Sequence, residues 1–351
     1  MGSVKDLEVI VQPTETRMGI GRFHFSDRYS VFDWGEMPDL IPNKGAALCM
    51  MAAYCFEQAH QNKILTHYHG LVDAKSNVIH LSSISSPTNI MEVDLVRVLK
   101  PEFKEGKYNY SCFEPGRHAE LTNFLIPLEI IYRNSLPAGS SVFSRLKAGE
   151  LTLEEMELTQ QPVPGEKIVK PFFDFSTKLE AKDRYLSRDE AQKISGLIHG
   201  DMETINYILT IVNGIITLIA TKANLTNEDG KIELAINPQG KLMLVDVLGT
   251  PDECRFMYED VPVSKEVARV FYRKTKWYEA VQQATELAKE RGVTNWKELC
   301  KLQPPSLPPA LKEIISEMYM STANAFLEKR LFDSPPLIEV VEKYRKWEKE
   351  S

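Results

Sequence analysis

Residues 204–221, TINYILTIVNGIITLIAT, carry no charged side chain over 18 positions. Such a stretch must leave water, either inside a protein core or inside a membrane. It is shorter than the roughly 20 apolar residues that a membrane span needs. Asn206, Thr210, Asn213, Gly214 and Thr217 also interrupt it, so a central buried helix is the reading and no membrane partner is expected. Ser187, with Glu190 three residues on, forms a capping-box pattern that predicts one long helix from there through Ala220. Its apolar stripe runs from Ile194 to Ile219.

A helix of this kind needs other layers to cover it, and 351 residues suffice to build them. The first 125 residues alternate short apolar runs with turns, as in LEVIVQ, GRFHFS, NVIHLSS and VDLVRVLK, around one helix expected at Ala46–Gln61. From 126 onward the texture is mixed. IPLEIIYR reads as a buried strand, ELTLEEMEL as a short helix or turn, and QQPVPGEKIVKPFFDF as irregular or edge-like because of its prolines. Residues 264–292 predict one charged amphipathic helix, and 307–332 and 335–351 two more. The expectation is an α+β chain: a β-rich amino lobe over 1–125 and a mixed lobe over 126–351.

Apolar residues make up 43% and charged residues 26%, as in ordinary globular proteins. A net charge of −7 and pI near 5.7 argue against a nucleic-acid partner. Five cysteines without a CxxC pair predict free thiols in a reducing cytoplasm, and the charged N-terminus lacks a signal-peptide core.

The densest chemistry lies in residues 229–255. KIELAI and KLMLVDVL read as two strands joined at NPQG. Alternation puts Lys231 and Glu233 on one face, and the fold at the turn brings Glu233 toward Asp246. Two such carboxylates repel unless a cation lies between them, and Mg²⁺ is the cation that combines one or two carboxylates with nucleotide phosphates. An amphipathic hairpin with a charged outer face is the plainer alternative. The following turn adds Thr250, Pro251, Asp252 and Arg255.

Further clusters accompany it. GSVKDL at 2–7 offers Lys5 beside a glycine, and SDRYSVFDW with IPNKGAAL supplies Asp27, Arg28, Ser30 and Lys44 near a helix N-terminus, where anions are favoured. IPLEIIYRNSLPAGSS delivers Arg133 from a strand into a turn with Ser140 and Ser141, a grip suited to phosphate. FSTKLEAKDRYLS is a loop with Lys178, Glu180 and Asp183. Each has a bland reading as a polar surface or cap. In this order they resemble the phosphoribosylaminoimidazole-succinocarboxamide (SAICAR) synthetase family, from Gly2 to about Arg273: IPLEIIYR with AGS, DGKIEL, DRYSVFD, IPNKG, STKLE and TPDECRF carry the likeness.

The resemblance implies a two-lobed fold with ATP in the cleft, and a ligase that activates the carboxylate of carboxyaminoimidazole ribonucleotide for attack by L-aspartate. It implies Glu233 and Asp246 for the Mg²⁺ of the nucleotide and Lys5 and Lys44 for ATP. Lys231, Asp252 and Arg255 fall at the reacting centre, and Arg133, Ser140 and Ser141 at the ribonucleotide. Asp27, Arg28 and Ser30 would organise the interlobe site, and Lys178, Glu180 and Asp183 a cleft-closing loop. Ser3, Val247 and Arg184 depart from the family pattern, which keeps open a diverged ligase or phosphotransferase on another carboxylate or amine, or a nucleotide-binding protein without catalysis. A homo-oligomer is compatible with the sequence. His24, His67 and His69 are expected to be structural.

Overall fold

The computed structural model describes residues 4–114, 121–293 and 295–351. Gly2 and Ser3, part of the first cluster, lie outside the described residues. The amino-terminal part is a five-stranded antiparallel sheet in the order β1 (Lys5–Val11), β2 (Gly19–Phe25), β5 (Ile90–Leu95), β3 (Tyr68–Val72) and β4 (Val78–Ile79). β2 alternates buried Gly, Gly, Phe, Phe with half-buried residues, and its buried face meets α1 (Lys44–Gln61). The small residues of GAALCMMAAYC let most of that helix sit buried, with His60 and Gln61 exposed at its end. β3 is an unexpected strand, and VDLVRVLK stops being strand at Leu95. β6 (Glu102–Lys104) and β7 (Lys107–Asn109) form a small separate ribbon.

The second sheet runs β11 (Tyr185–Leu186), β10 (Lys167–Thr177), β9 (Leu128–Ser135), β12 (Thr226–Ile236), β14 (Cys254–Tyr258) and β15 (Val261–Pro262). β8 (Phe124–Leu125) and β13 (Leu242–Val245) also pair with β12. The first half of β12 lies between β9 and β14, through Ile232↔Ile130; from Glu233↔Val245 onward β13 takes over, with β8 opposite. Lys231 and Glu233 therefore sit where one strand changes neighbours. The two sheets meet through Leu244, whose carbonyl accepts from His67 N at 2.9 Å and whose N–H donates to Leu65 O at 2.8 Å. One hydrophobic cluster includes Phe23 and Phe25 of the first sheet and Ile232 and Leu234 of the second.

The long helix expected from Ser187 is two helices. Ser187 caps α3 (Arg188–Ser195) by accepting from Glu190 N, and Gly196, at φ 66°, turns the chain into α4 (His199–Lys222). By length and composition α4 could cross a membrane. Here its Ile205, Leu209, Val212, Ile216 and Ala220 are buried, and it packs on β12 and α1. Residues 160–175 are irregular only as far as Glu166. From Lys167 the segment is strand β10, and around Pro171 it is edge-like as expected: β11 reaches only Phe175 and Ser176, and the register with β9 shifts between Lys167 and Phe172, which accommodates the proline. ELTLEEMEL is a turn after α2 (Ser141–Ala148). The amphipathic helix expected over 264–292 breaks into α5 (Glu266–Arg273) and α6 (Lys276–Arg291), with Thr275 capping the latter through Tyr278 N. α7 (Pro309–Phe326) and α8 (Leu337–Glu350) complete the chain as expected.

Candidate active site

The hairpin forms as its sequence dictates: Asn237 N donates to Lys241 O and Gly240 N to Asn237 O across the NPQG turn. One boundary differs. β13 ends at Val245, and Asp246 adopts a left-handed backbone with φ 69°. Aspartate tolerates that region better than most residues, and the conformation turns its side chain away from the strand alternation. His67 fixes the turn, with Nε2 3.2 Å from Asp246 O. Burial pushes the His67 pKa down to about 4, so the ring is neutral at neutral pH.

Asp246 receives Lys5 Nζ at 2.6 Å, a contact that links the first strand of one sheet to the second sheet. Glu233 receives Lys178 Nζ at 2.5 Å. Burial raises the Glu233 carboxyl to about 7, with the charge of Asp246 as the next cause; Asp246 is held well below the carboxylate range, Lys5 and Lys178 outweighing its burial. The two carboxylates thus feel each other, and two ammonium groups balance them. Lys231 bonds Glu129 of β9 and lies 3.3 Å from Glu253; those anions raise it despite its burial. Asp183 stands at the rim, raised to about 6 by partial desolvation and by Glu129.

A second cluster lies at the start of β12. Asp229 accepts from Arg255 Nε at 2.8 Å and stands 3.5 Å from Arg133 Nη1. Asp174 takes Arg133 at 3.2 Å and Arg145 at 2.5 Å. Three guanidinium groups thus converge on two carboxylates. Glu228 and Glu266 also feel Arg255, and burial and Asp229 push Glu228 toward its neutral form. The Nε atoms of Arg133 and Arg145 are buried without a partner. Ser140 caps α2 by accepting from Val142 N, and Ser141 Oγ bonds Tyr185 OH at 2.7 Å and Arg133 Nη2 at 3.3 Å. Arg273 of α5 approaches Gly139 in the same turn. Convergent guanidinium groups, two with a buried Nε that has no partner, beside a small-residue turn and a helix N-terminus are an anion-binding arrangement.

A sequence model of the SAICAR synthetase family matches residues 14–289. A putative phosphoribosylaminoimidazole-succinocarboxamide synthase of Archaeoglobus fulgidus is 48% identical over 97% of this chain and 98% of its own length. The chain belongs to the SAICAR synthetase family. The Thermoplasma acidophilum phosphoribosylaminoimidazole-succinocarboxamide synthase is 29% identical over 85% of the chain and 89% of its own length. The fold agrees with the SAICAR synthase of Saccharomyces cerevisiae in complex with SAICAR, at TM-score 0.61, 17% identity and 94% coverage of both chains. A SAICAR synthetase in complex with ADP matches at TM-score 0.53 and 19% identity, over 88% of this chain and 99% of that one.

Against that family pattern, Lys5, Lys178, Lys231, Glu233 and Asp246 come together, as do Arg133, Ser140, Ser141 and Arg255. Five expected residues, Lys44, Asp252, Asp27, Arg28 and Glu180, make their contacts outside these two clusters. Lys44 has no accessible surface and pairs with Asp252 at 2.6 Å. Asp27 accepts from Asn43 N and Gly45 N, so the anion expected at the N-terminus of α1 is the chain's own aspartate. Arg28 bonds Asp6 at 2.8 Å and Ser26 at 3.0 Å, with half-buried Ser30 in the same connection. Glu180 accepts from Tyr110 OH at 2.9 Å and Arg184 Nη2 at 3.1 Å. Sequence reasoning missed Glu129, Asp174, Arg145, Tyr185, Glu253 and Tyr319. Glu129 in IPLEIIYR, Tyr185 in KDRYLS, Glu253 in TPDECRF and Asp229 in DGKIEL stood in motifs already singled out for their chemistry; Asp174, Arg145 and Tyr319 did not. A cavity of about 810 Å³ between β10, α4 and residues 145–157 adjoins the guanidinium cluster, with Arg145, Asp174 and Tyr185 in its wall, and includes none of Lys5, Lys178, Lys231, Glu233 and Asp246.

Proposed function

We propose that this protein joins L-aspartate to the carboxylate of carboxyaminoimidazole ribonucleotide, with ATP activating that carboxylate as an acyl phosphate, in purine biosynthesis. Membership of the family makes the chain an ATP-dependent, amide-forming ligase. The observation that carries the finer reading is the order of charges along β12: Asp229 with its guanidinium cluster, then Lys231, then Glu233 beside Asp246. A ribonucleotide phosphate calls for the first, a triphosphate for the last, and one strand holds both in register. The ADP complex and the SAICAR complex of related proteins support the same pair of ligands.

Glu233 and Asp246 fit a nucleotide-borne Mg²⁺. Their donors are oxygen only, and among the described residues no cluster of three or more His, Cys, Asp or Glu forms a closed cage. Held by these two carboxylates, such an ion would supply positive charge to the phosphoryl group in transfer. Lys5 and Lys178 stand beside the same position and supply cations for phosphate oxygens. Arg133, Arg255 and Ser141 orient the ribonucleotide through its phosphate, which fixes the carboxylate for attack. Five free cysteines support a reducing, cytoplasmic setting.

A second reading, a diverged ligase acting on another carboxylate or amine, is favoured by Val247, which is buried where the family pattern has an acid, and by Arg184, which is tied to Glu180 and Glu190. Purified protein given ATP, Mg²⁺, the carboxylated ribonucleotide and L-aspartate should release ADP only when all four are present. Tight ATP binding without turnover overturns the proposal, and turnover with a different amine selects the second reading.

A further inference from the structure

Asp252 is held by two residues far apart in sequence. Its Oδ2 accepts from Lys44 Nζ at 2.6 Å, and its Oδ1 accepts from Tyr319 OH at 2.6 Å. Lys44 begins α1, Asp252 lies in the turn after the β12–β13 hairpin, and Tyr319 is in the middle of α7. The Lys44 ammonium also stands 5.4 Å from the centre of the Tyr319 ring. All three side chains are buried, Asp252 at 8% exposure being the least covered. Burial opposes ionisation of Asp252, yet Lys44 holds the carboxyl below its usual range. The backbone of the turn is itself fastened: Glu253 N and Cys254 N both donate to Thr250 O.

α7 lies beyond residue 289, where the match to the family ends. The tyrosine partner of Asp252 thus comes from outside the segment that the family model covers. A carboxylate oxygen accepts two hydrogen bonds, so each oxygen of Asp252 keeps capacity for a ligand hydroxyl after its protein partner is satisfied. With one partner on each oxygen, the plane of the carboxylate is set from both sides and cannot turn.

We propose that Tyr319 is a positioning residue for the ligase reaction: its hydroxyl, with Lys44, fixes the Asp252 carboxylate in the orientation that receives the ribonucleotide, so that α7 completes the substrate site. The proposal rests on the expectation, implied by the family resemblance, that Asp252 lies at the reacting centre, where it would contact the ribonucleotide. Tyr319→Phe keeps the ring and removes only the donor, leaving Asp252 tethered on one side.

The test compares steady-state constants for Tyr319→Phe, Asp252→Asn and Ser316→Ala in the full chain. Ser316 is a control from the same helix; its Oγ donates to Pro42 O at 2.6 Å and does not touch Asp252. Tyr319→Phe is expected to raise KM for the ribonucleotide about tenfold while KM for ATP stays within twofold. Ser316→Ala is expected to lower the melting temperature and leave both constants unchanged. Should Tyr319→Phe lower the melting temperature with no change in KM, or raise both KM values equally, the tyrosine is merely structural and the proposal falls, provided Asp252→Asn still raises the ribonucleotide KM. If Asp252→Asn leaves that KM unchanged, the reading of Asp252 itself fails and the proposal with it.

Discussion

Asp246 is the residue at which local strain and the proposed metal role meet. Its left-handed backbone, the His67 bond to its carbonyl and the Lys5 ammonium on its carboxylate all act on one side chain. A conformation that costs free energy persists only where its surroundings enforce it. Asp246→Asn keeps the shape and the left-handed preference, and should weaken Mg-nucleotide affinity at least about tenfold while leaving the melting curve nearly unchanged; isothermal titration measures it, and an unchanged affinity refutes the metal role. Arg255 lies on the other cluster. Arg255→Ala removes a charge-assisted contact worth roughly 1.5–3 kcal/mol and should raise the ribonucleotide KM about 10- to 100-fold, with the ATP constant little affected. Both residues were legible in the sequence because hairpin alternation and turn chemistry are local. Lys44 and Asp27 were misread because their partners, Asp252 for one and the α1 amides for the other, depend on how the chain folds back around them.

At the scale of elements, the errors share a cause. Apolar periodicity continues across Gly196 and across Lys274, so one helix was expected in each place where two occur; the break at Gly196 is a left-handed cap that periodicity does not register. Pro171, expected to mark an irregular or edge-like stretch, lies in a strand with one neighbour, where a register shift absorbs it. Gly249 shows the reverse, a glycine with a physical need. Its φ is 67°, and a Cβ there would lie 2.5 Å from Cys55 Sγ, so Gly249→Ala should cost about 1–3 kcal/mol and lower the thermal midpoint by displacing the turn that carries Asp252. Pairing of β3 with β5 carries a pH signature. His69 Nε2 lies 3.0 Å from Asp94, a hydrogen bond that raises the histidine pKa above 6.5. The folded state thus prefers the charged ring; this stabilisation is complete below pH 6.5 and is lost as pH rises through the folded value. The stability difference between wild type and His69→Gln should therefore shrink between pH 5.5 and pH 8.5 in denaturant titrations.

For the molecule as a whole, the α+β class was readable from texture alone, whereas the way the last helices close onto the site was not. α7 packs on α1 and α8, and Phe326 meets Phe256 of β14 edge-on at 5.3 Å. Phe326→Ala should cost about 3–5 kcal/mol, seen as a lower unfolding midpoint, since it empties a fully buried site between α7 and the central sheet. The ion pairs Lys5–Asp246 and Lys178–Glu233 have a consequence at this scale. A carboxylate pair that relied on a metal for its counter-charge would loosen when the metal is stripped. Here the chain supplies that counter-charge itself, one lysine from the first strand of one sheet and the other from the loop after β10. Chelation of Mg²⁺ should therefore abolish turnover without shifting the melting temperature. On the proposed reading the same two ammonium groups would give up their carboxylates when nucleotide enters, so that loading the site would be an exchange of partners in which the link between the two sheets passes from a salt bridge to the nucleotide.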